Sequence, residues 1–497
     1  MDIFANISPI DHRYRQAEAQ LWQELSECLS ERALIHYQLR VEIAYVRALA
    51  RRGLLSQQSA EILADAARRV TPEEVYAEEA RTQHNIRALV NAVRRHLEGR
   101  APAAGADTAA GPVAPAAGAE ALRFLHLGLT SMDVVDTANA LRYKDAFDRV
   151  VWPRWRRLVE SVANLAERES DTPAIGRTHG QYAVPITFGW SLAEYVQRLG
   201  ERLLKAQAAA HDLRGKIAGA VGCYNAICLL VPDPDQLEEE VLADLGIRPS
   251  PVSTQIVAPE YVADLGHALV SGLGVMANLA DDLRHLQRSE IAEVREAFGA
   301  QQVGSSTMPH KRNPWNSEHV KSLWKAFMPR MFTVYADQIS EHQRDLTNSA
   351  SARFFPELFF AVASAADRLR AVVEGLQVDR EAMLRHLREA APSVVAEPLY
   401  ILLAQAGHPN AHEAVRRLTL AAESARAQPG VAGTPPTADP APGAVLAQAL
   451  CDPDAAPWLA RLTPHQREVL EDVLHYRGRA AEKTRRIVAR WREALGL

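Results

Sequence analysis

The sequence predicts an all-α protein built around a bundle of long helices. Aromatic residues make up only 6% of the chain, whereas alanine, leucine, arginine and glutamate are abundant, and this balance favours helix over strand. From about residue 259 to residue 298, apolar side chains recur three or four positions apart. They are Val262, Leu265, Leu269, Leu273, Met276, Leu279, Leu283 and Leu286. This spacing predicts one apolar face on a helix of about forty residues, roughly 60 Å long, which needs neighbours of similar length to cover it.

The N-terminal part of the chain, residues 1–128, is predicted to form a helical domain. Its helical patterns run over about 21–52, 58–69 and 79–97. Residues 101–119 are almost wholly alanine, glycine and proline, which leaves too few apolar side chains to build a core. We therefore expect a flexible surface insertion at that position.

The central part, residues 129–378, is predicted to be the bundle itself. Thr130 or Ser131 can cap its first helix, Asp133 suits the first turn, and Pro153 is expected to kink the same helix. Four further long helices begin near Ile186, Pro259, Asn316 and Ala352. Apolar faces that one bundle cannot bury should be covered in a homo-oligomer.

The C-terminal part, residues 379–497, is predicted to form a domain of shorter helices. It contains a second insertion rich in alanine, proline and glycine at 427–444. The last helix, about 464–495, is rich in arginine and glutamate, and we interpret that charge as a solvated face.

The composition favours a cytoplasmic protein that binds neither membrane nor nucleic acid. A formal net charge of −5 gives no reason to expect a polyanion-binding surface. Neither a basic, apolar leader nor an apolar run of about 18 residues is visible in the sequence. Cys28, Cys223, Cys228 and Cys451 lack zinc-site spacing, and we expect them to be buried thiols in a reducing compartment.

The segment 304–314, Gly-Ser-Ser-Thr-Met-Pro-His-Lys-Arg-Asn-Pro, has the composition of a loop between two helices. Its two serines can remove a proton, and Lys311 and Asn313 can stabilise the negative charge left behind. Residue types alone are more typical of an ordinary polar turn between helices. The order of the residues carries more information.

That order, Ser-Ser-x-Met-Pro-x-Lys-x-Asn-Pro, is similar to the signature loop of the fumarase/aspartase superfamily. Within the superfamily, nearly the whole chain resembles the adenylosuccinate lyase family. The segments that carry this closer resemblance are 8–14, 126–137, 177–181, 253–256 and 343–349 followed by Arg353. Fumarase, aspartase and argininosuccinate lyase are not expected to share the first and last of these segments.

The resemblance implies a three-domain, fumarase/aspartase-like fold and a homotetramer whose bundle core is shared between subunits. Active sites would be built from three subunits. The implied reaction is a β-elimination that releases fumarate from adenylosuccinate to give AMP, and from the succinyl-carboxamide imidazole ribotide of the same pathway. Neither a cofactor nor a metal is required.

The resemblance also implies the catalytic roles. Ser305 is expected to be the base, with Ser306 as a second donor, and its alkoxide needs a cation and backbone N–H groups. Lys311 and Asn313 are expected to hold the aci-carboxylate dianion. His179 is expected to protonate the leaving nitrogen, because imidazole titrates near neutral pH.

Substrate contacts are implied for a larger set of residues. Arginine and tyrosine suit a phosphate, and hydroxyls at a helix N-terminus suit a succinyl carboxylate. The expected contacts are Arg13, Tyr14, Thr130, Ser131, Asp133, Thr178, Gln255, Ser306, Met308, Arg344, Ser349 and Arg353.

One position departs from the family pattern. His84 resembles the histidine that partners the catalytic acid, yet Asn85 stands where aspartate is usual. Asparagine orients an imidazole weakly and hardly raises its pKa, so His84 is either catalytic, a substrate ligand or a plain surface histidine. Asn85, His12 and the two insertions leave open a lyase for a different succinyl or amino-acid adduct. A helical scaffold without activity is the third interpretation.

Overall fold

The computed structural model describes residues 5–99, 115–299, 301–427 and 444–497. The two predicted insertions lie largely outside these residues. From Pro115 onward the described chain is already helical, so the first insertion ends before residue 119.

The described residues are predominantly helical, which confirms the all-α class. In chain order the helices are α1 Arg15–Ala17, α2 Ala19–Leu29, α3 Glu31–Arg51, α4 Gln57–Arg69, α5 Pro72–Thr82, α6 Asn85–Leu97, α7 Pro115–Phe124, α8 Ser131–Ala146, α9 Trp152–Arg168, α10 Phe188–His211, α11 Pro234–Leu245, α12 Glu260–Leu286, α13 Trp315–Phe327, α14 Arg330–Ala336, α15 Glu357–Glu374, α16 Arg380–Val394, α17 Ala396–Ala406, α18 Ala411–Ala427, α19 Ala444–Cys451, α20 Ala456–Leu459, α21 Pro464–Glu471 and α22 Ala480–Leu495.

Short strands pair in twos within the described part of the chain. The antiparallel hairpin consists of β1 Pro173–Thr178 and β2 Gln181–Thr187. The parallel pair is β3 Arg214–Gly215 with β4 Arg248–Pro249, and the second antiparallel pair is β5 Val294–Arg295 with β6 Gln377–Val378. These strands were not predicted, since each is too short or too polar to show a period of two.

The chain forms two compact units. Unit 1 comprises 1–156, 201–274 and 322–367, and unit 2 comprises 157–200, 275–321 and 368–497. All five changes of unit along the chain fall inside helices, namely α9, α10, α12, α13 and α15. The three-domain division at 128 and 378 stays a prediction.

Unit 1 is organised around large buried side chains on α3, α8 and α9. Trp155 is fully buried, and a Cβ atom at Gly272 would overlap its ring, so a glycine is required at that crossing. Arg154 is buried in the same region and forms ion pairs with Glu24 and Asp367, which leaves the guanidinium fully compensated.

Unit 2 packs its hairpin and its C-terminal helix against neighbouring helices. Ile175 of β1 belongs to an apolar cluster with Leu387 and Val394 of α16. Trp491 of α22 is buried over Gly200, and its indole N–H donates to Gln197 Oε1 at 2.7 Å. The hairpin is therefore supported from the side by a buried helix face.

The longest predicted helix is shorter than expected. Helix α12 has 27 residues and ends at Leu286 instead of continuing to about residue 298. The chain turns there because Ala292 adopts a left-handed φ of 50° and the Glu293 N–H donates to the Leu286 carbonyl oxygen at 3.0 Å. The residues beyond form β5 and an irregular connection to the loop at 304–314.

Other predicted helices are also interrupted. Pro329 separates α13 from α14. The kink expected at Pro153 corresponds to a π-helical turn at Phe147–Val151, which separates α8 from α9. The pattern predicted over 79–97 breaks at Gln83, which adopts φ 52°, so that His84 begins a new helix.

Burial in the structure tests two predictions, one about membrane-spanning helices and one about the cysteines. Helix α12 is long and apolar enough to cross a membrane, yet 61% of its most apolar window is buried inside the protein, as in a core helix. All four cysteines are free thiols, but only Cys28 is buried, so the prediction of buried thiols is wrong for Cys223, Cys228 and Cys451.

Candidate active site

His179 lies at the tip of the β1–β2 hairpin in unit 2. The two turn residues, His179 and Gly180, adopt φ angles of 54° and 74°, as a type I′ turn requires. Thr178 pairs with Gln181 across the turn, and Thr178, His179 and Gly180 are all exposed. The left-handed turn therefore presents the imidazole to solvent at the end of a supported hairpin.

Arg177 anchors the hairpin just before its tip. Its guanidinium donates to both carboxylate oxygens of Glu293, at 2.6 and 3.0 Å, and lies 5.4 Å from the ring centre of Tyr182 on the opposite strand. Glu293 is buried and also contacts His386 Nδ1 at 2.7 Å. The exposed tip thus begins directly after a buried ion pair.

The loop at 304–314, also in unit 2, holds Ser305 in a specific hydrogen-bonding arrangement. Its Oγ atom accepts the backbone N–H of Met308 at 3.1 Å and that of Thr307 at 3.3 Å. Backbone donors aimed at a hydroxyl oxygen favour its negatively charged form. These are the donors that the sequence predicts an alkoxide to need. Ser306, Met308 and Lys311 are exposed around it.

Asn313 closes this loop. Its Nδ2 atom donates to the Gly304 carbonyl oxygen at 2.9 Å. A Cβ atom at Gly304 would overlap the Lys311 carbonyl oxygen, so glycine is required where the two arms of the loop meet. One N–H of the Asn313 amide therefore holds the loop, while the amide has a second N–H available for a ligand.

The helix α8 N-terminus in unit 1 provides a different kind of binding surface. Thr130 precedes the helix, its backbone N–H donates to Asp133 Oδ2 at 2.8 Å, and both Thr130 and Ser131 are partly exposed. Free N–H groups and the helix dipole at such a position favour a carboxylate ligand.

Asp133 itself is a structural residue. It is completely buried, is paired with the equally buried Lys216, and accepts the N–H of Ala218 at 3.0 Å and that of Gly219 at 3.2 Å. These contacts fix the start of α8 to the turn at 216–219 and occupy both carboxylate oxygens. The predicted contact between Asp133 and the substrate stays a prediction.

The structure adds His126 to the surroundings of this helix N-terminus. It adopts a left-handed φ of 58°, and its Nδ1 lies 2.6 Å from Oε1 of the buried Glu42. Burial alone would lower the pKa of this imidazole, but the Glu42 carboxylate outweighs burial and raises it. His126 belongs to the motif at 126–137, whose residue pattern predicts no separate role for it.

His84 caps α6 in unit 1. Its Nδ1 accepts the Arg87 N–H at 3.2 Å, so the proton of the neutral ring resides on Nε2. The Asn85 side-chain oxygen accepts the Ile86 N–H at 2.8 Å and does not orient the ring. His84 is exposed, and its Nε2 is the atom available to a ligand.

The predicted phosphate ligands lie in unit 1. Arg13 is exposed in a π-helical turn, Ile10–Tyr14, and the Tyr14 ring packs edge-on against Phe360 with ring centres 4.9 Å apart. Turns of this kind are frequent at functional sites. Ser349 and Arg353 are exposed as well.

Arg344, another predicted phosphate ligand, is hydrogen-bonded to backbone carbonyl groups of its own unit. At a left-handed φ of 98°, its two terminal nitrogens donate to the carbonyl oxygens of Asp337 and Gln338, each at 3.0 Å. In this conformation part of its hydrogen-bonding capacity is used by the end of α14. The Gln255 N–H donates to the neighbouring Gln343 carbonyl oxygen at 3.1 Å, which brings Gln255 to the same segment.

A cavity of about 260 Å³ in unit 1 adjoins these segments. Its wall includes Val257, next but one to Gln255, and Asn348, next to Ser349. Asp136 of α8 also lines it and accepts the Val257 N–H at 2.8 Å, and burial raises its pKa to about 6. The cavity is thus bordered by three of the sequence motifs.

The predicted site residues are divided between the two units. Unit 2 contains Ser305, Ser306, Met308, Lys311, Asn313, Thr178 and His179, and unit 1 contains the remaining ones. Unit 2 therefore carries the predicted proton-transfer chemistry, and unit 1 carries the groups suited to phosphate and carboxylate.

Comparison with known proteins identifies the class first. Residues 12–326 match the model of the lyase family, and residues 340–428 match that of the adenylosuccinate lyase C-terminal domain. The fold resembles that of a fumarate lyase from Mesorhizobium sp. BNC1, with a TM-score of 0.76, 21% identity, and coverage of 94% of this chain and 97% of that one. The chain is a lyase of the fumarase/aspartase superfamily.

Sequence relatives narrow the class. The chain is 34% identical to the adenylosuccinate lyase of Pyrococcus abyssi, over 84% of this chain and 87% of that protein. It is 31% identical to the adenylosuccinate lyase of Archaeoglobus fulgidus, over 84% of this chain and 87% of that protein. Within the superfamily, the chain belongs to the adenylosuccinate lyase family.

Proposed function

We propose that this protein cleaves adenylosuccinate to AMP and fumarate, and cleaves the succinyl-carboxamide imidazole ribotide of purine synthesis in the same way. The observation that carries the proposal is Ser305 Oγ receiving two backbone N–H groups in a loop that also holds Lys311 and Asn313. Membership of the adenylosuccinate lyase family supports the same substrate.

The first chemical step is removal of a proton from the succinyl carbon beside a carboxylate. Ser305 acts as the base in its alkoxide form, which the N–H groups of Thr307 and Met308 stabilise. The electron pair of the broken C–H bond moves into the neighbouring carboxylate as an aci-carboxylate. Lys311 and the second N–H of Asn313 supply positive charge and a hydrogen bond to that group.

The second step is departure of the nitrogen. The electron pair returns to form the carbon–carbon double bond of fumarate, the C–N bond breaks, and protonated His179 donates its proton to the leaving nitrogen. The exposed I′ turn suits this role, because it holds the imidazole outside the hairpin where a substrate can reach it.

Unit 1 supplies the binding groups. Arg13, Tyr14, Ser349 and Arg353 bind the phosphate, while Thr130 and Ser131 bind a succinyl carboxylate at the N-terminus of α8. Gln255 hydrogen-bonds the same succinyl group. Each charged part of the substrate thereby has a complementary partner.

We further propose a soluble, cytoplasmic homotetramer whose active sites combine residues of three subunits. Exposed apolar side chains on and beside α14 support an interface there: Phe332 is 73% exposed, Ile339 82% and Leu346 62%. Size-exclusion chromatography with light scattering should report four chains per particle, and a monomer with full activity would contradict the shared site.

The proposed reaction is tested directly with purified protein. Adenylosuccinate should be converted to equal amounts of AMP and fumarate, measured by ultraviolet absorbance and chromatography. A folded protein that converts neither adenylosuccinate nor the imidazole ribotide would overturn the proposal.

A lyase for a different adduct is the second candidate. It is favoured by Asn85, whose side chain binds a backbone N–H instead of orienting His84. Turnover of another succinyl or amino-acid adduct in place of adenylosuccinate would select this candidate. A comparison of kcat/KM across such adducts therefore distinguishes the two functions.

A further inference from the structure

One short segment in unit 2, residues 287–296, lies between the end of α12 and the stretch leading to the signature loop at 304–314. It carries two buried glutamates, Glu293 and Glu296, that are 1% and 9% exposed. Buried carboxylates are costly unless they are fully hydrogen-bonded, so their partners reveal what they hold.

Glu293 holds the hairpin. The fork of Arg177 binds both of its oxygens at 2.6 and 3.0 Å, and Arg177 is two residues before His179. His386 of α16 contacts the same carboxylate at 2.7 Å. The ion pair is therefore the last buried contact before the imidazole that is proposed to protonate the leaving nitrogen.

Glu296 binds the start of α13, directly after the signature loop. Its carboxylate accepts the N–H groups of Asn316 and Ser317 at 3.3 and 2.9 Å, and the Ser317 hydroxyl at 2.5 Å. These residues begin α13, and Asn316 is three residues after Asn313. A carboxylate at a helix N-terminus is favourable, and here it fixes the point where the signature loop ends.

Gln287 ties the two arms of the segment together. Its Oε1 accepts the Glu296 N–H at 2.8 Å, and its Nε2 donates to the Arg312 carbonyl oxygen, within the signature loop, at 3.3 Å. The same amide thus contacts both the segment and the loop.

Backbone contacts keep the segment itself in place. The Glu293 N–H donates to the Leu286 carbonyl oxygen at the end of α12, and the Glu293 carbonyl oxygen accepts the Asp379 N–H at 2.9 Å. The next residues form β5 and pair with β6. The segment is therefore held by backbone hydrogen bonds on two sides, which fixes Glu293 and Glu296 relative to each other.

We propose that Glu293 and Glu296 are positioning residues: Glu293 sets the position of His179 through Arg177, and Glu296 sets the position of Ser305 through the start of α13. This inference rests on the proposed function, because it assigns the two glutamates to the two proton transfers of the elimination. Neither carboxylate contacts the substrate.

The two roles predict different kinetics. If departure of nitrogen becomes slow, the carbanion returns to substrate more often, and the primary deuterium isotope effect on kcat/KM falls towards one. If proton removal becomes slow in both directions, that isotope effect rises. A variant whose preparation merely contains less folded enzyme leaves this isotope effect unchanged.

The experiment compares E293Q and E296Q with the wild-type enzyme, using adenylosuccinate that is protiated or deuterated at the carbon that loses its proton. We expect kcat to fall by about tenfold to a hundredfold in both variants, because small displacements of catalytic groups cost that much. KM should stay within about threefold of the wild-type value, because binding groups are untouched. The isotope effect should be smaller than wild type in E293Q and larger in E296Q.

R177K provides a second route to the hairpin if E293Q does not fold. Lysine keeps the positive charge beside Glu293 but loses the two-pronged guanidinium contact, and the isotope effect should again decrease. E169Q is the matched control, since Glu169 is a fully buried glutamate of unit 2 whose partners, Arg168, Thr172 and Arg380, lie outside the signature loop and the strands of the hairpin. It should lower the unfolding midpoint and leave the isotope effect at the wild-type value.

The outcomes separate this inference from the proposed function. No turnover of adenylosuccinate by the wild-type enzyme overturns the proposed function. Wild-type turnover combined with equal isotope effects in E293Q and E296Q, or with the same shift in E169Q, overturns the positioning roles alone.

Discussion

Replacing Ser305 with alanine removes the oxygen atom to which two backbone N–H groups point, without adding volume to the loop. Thr307 and Met308 donate to that oxygen at 3.3 and 3.1 Å, and Asn313 holds the loop through the Gly304 carbonyl oxygen, a contact that does not involve Ser305. We therefore expect S305A to keep the fold of the loop and to lose the base.

The size of the loss follows from the two donors. A positioned general base contributes about 10²-fold to 10⁴-fold to a proton transfer. A single preorganised hydrogen-bond donor to a developing charge contributes about 2.7 to 4 kcal/mol. Ser305 Oγ receives two such donors, both from the backbone. We predict that kcat decreases at least 10³-fold, while the affinity for adenylosuccinate changes by less than about threefold, since the phosphate ligands are elsewhere.

The assay has two parts. Single-turnover conversion of adenylosuccinate gives the rate of elimination, and isothermal titration of the inactive variant with adenylosuccinate gives the affinity. S306A is the matched control, because it removes the adjacent hydroxyl of the same kind from the same loop. We expect its kcat to stay within about tenfold of the wild-type value.

Two results would refute this reasoning. An S305A enzyme that retains more than a tenth of wild-type kcat would place the base elsewhere. An S306A enzyme that loses as much activity as S305A would mean that the hydrogen bonds to Ser305 Oγ do not select the base.

Three further predictions concern the acid, the buried ion pair and a buried carboxyl group. H179Q should lower kcat by about 10²-fold to 10⁴-fold in steady-state assays. An increase in KM with an unchanged kcat would contradict the role of His179 as the acid. K216M should lower the free energy of unfolding in urea by about 3 to 5 kcal/mol, because it leaves Asp133 buried without its cation; a variant as stable as wild type would show that the three backbone N–H donors suffice. Burial raises the pKa of Asp136 to about 6, so the wild-type protein loses free energy of unfolding as the pH rises from about 4 to 6 and this carboxyl group ionises. D136N avoids that loss and should stabilise the protein at pH 7 by about 1 to 3 kcal/mol. The stability gain should vanish in urea titrations at pH 4, and a gain that is independent of pH would contradict the assignment to Asp136.

Much of the helical architecture follows from apolar spacing, but spacing cannot locate every helix end. The apolar positions from Val262 to Leu286 predict α12 correctly, because they recur three or four residues apart and so lie on one face of the helix. The end of the helix depends on the left-handed Ala292 and on a hydrogen bond between Glu293 and Leu286. Nothing in the apolar period records these local contacts.

The hairpin at 173–187 illustrates a different limit. Its strands are short, and its turn is His179-Gly180, whereas asparagine or aspartate before glycine is the usual signal for a type I′ turn. The motif therefore predicts a polar connection that carries His179. It does not predict that the histidine sits at a strained, exposed tip.

The candidate site shows the same division between chemistry and geometry. The signature loop predicts that Ser305 needs backbone donors, and the structure identifies them as Thr307 and Met308. Asp133, by contrast, resembles a ligand in its motif, yet it pairs with Lys216, 83 residues later in the chain. A contact between such distant positions depends on the fold and is invisible to local spacing.

Deuterium exchange at the substrate carbon tests the central claim most directly. H179Q and S305A are each incubated with adenylosuccinate in heavy water, and incorporation into unreacted substrate is followed by NMR. We predict that H179Q incorporates deuterium, because Ser305 still removes the proton while nitrogen cannot leave, and that S305A incorporates none. Equal incorporation by both variants would contradict the assignment of Ser305 as the base.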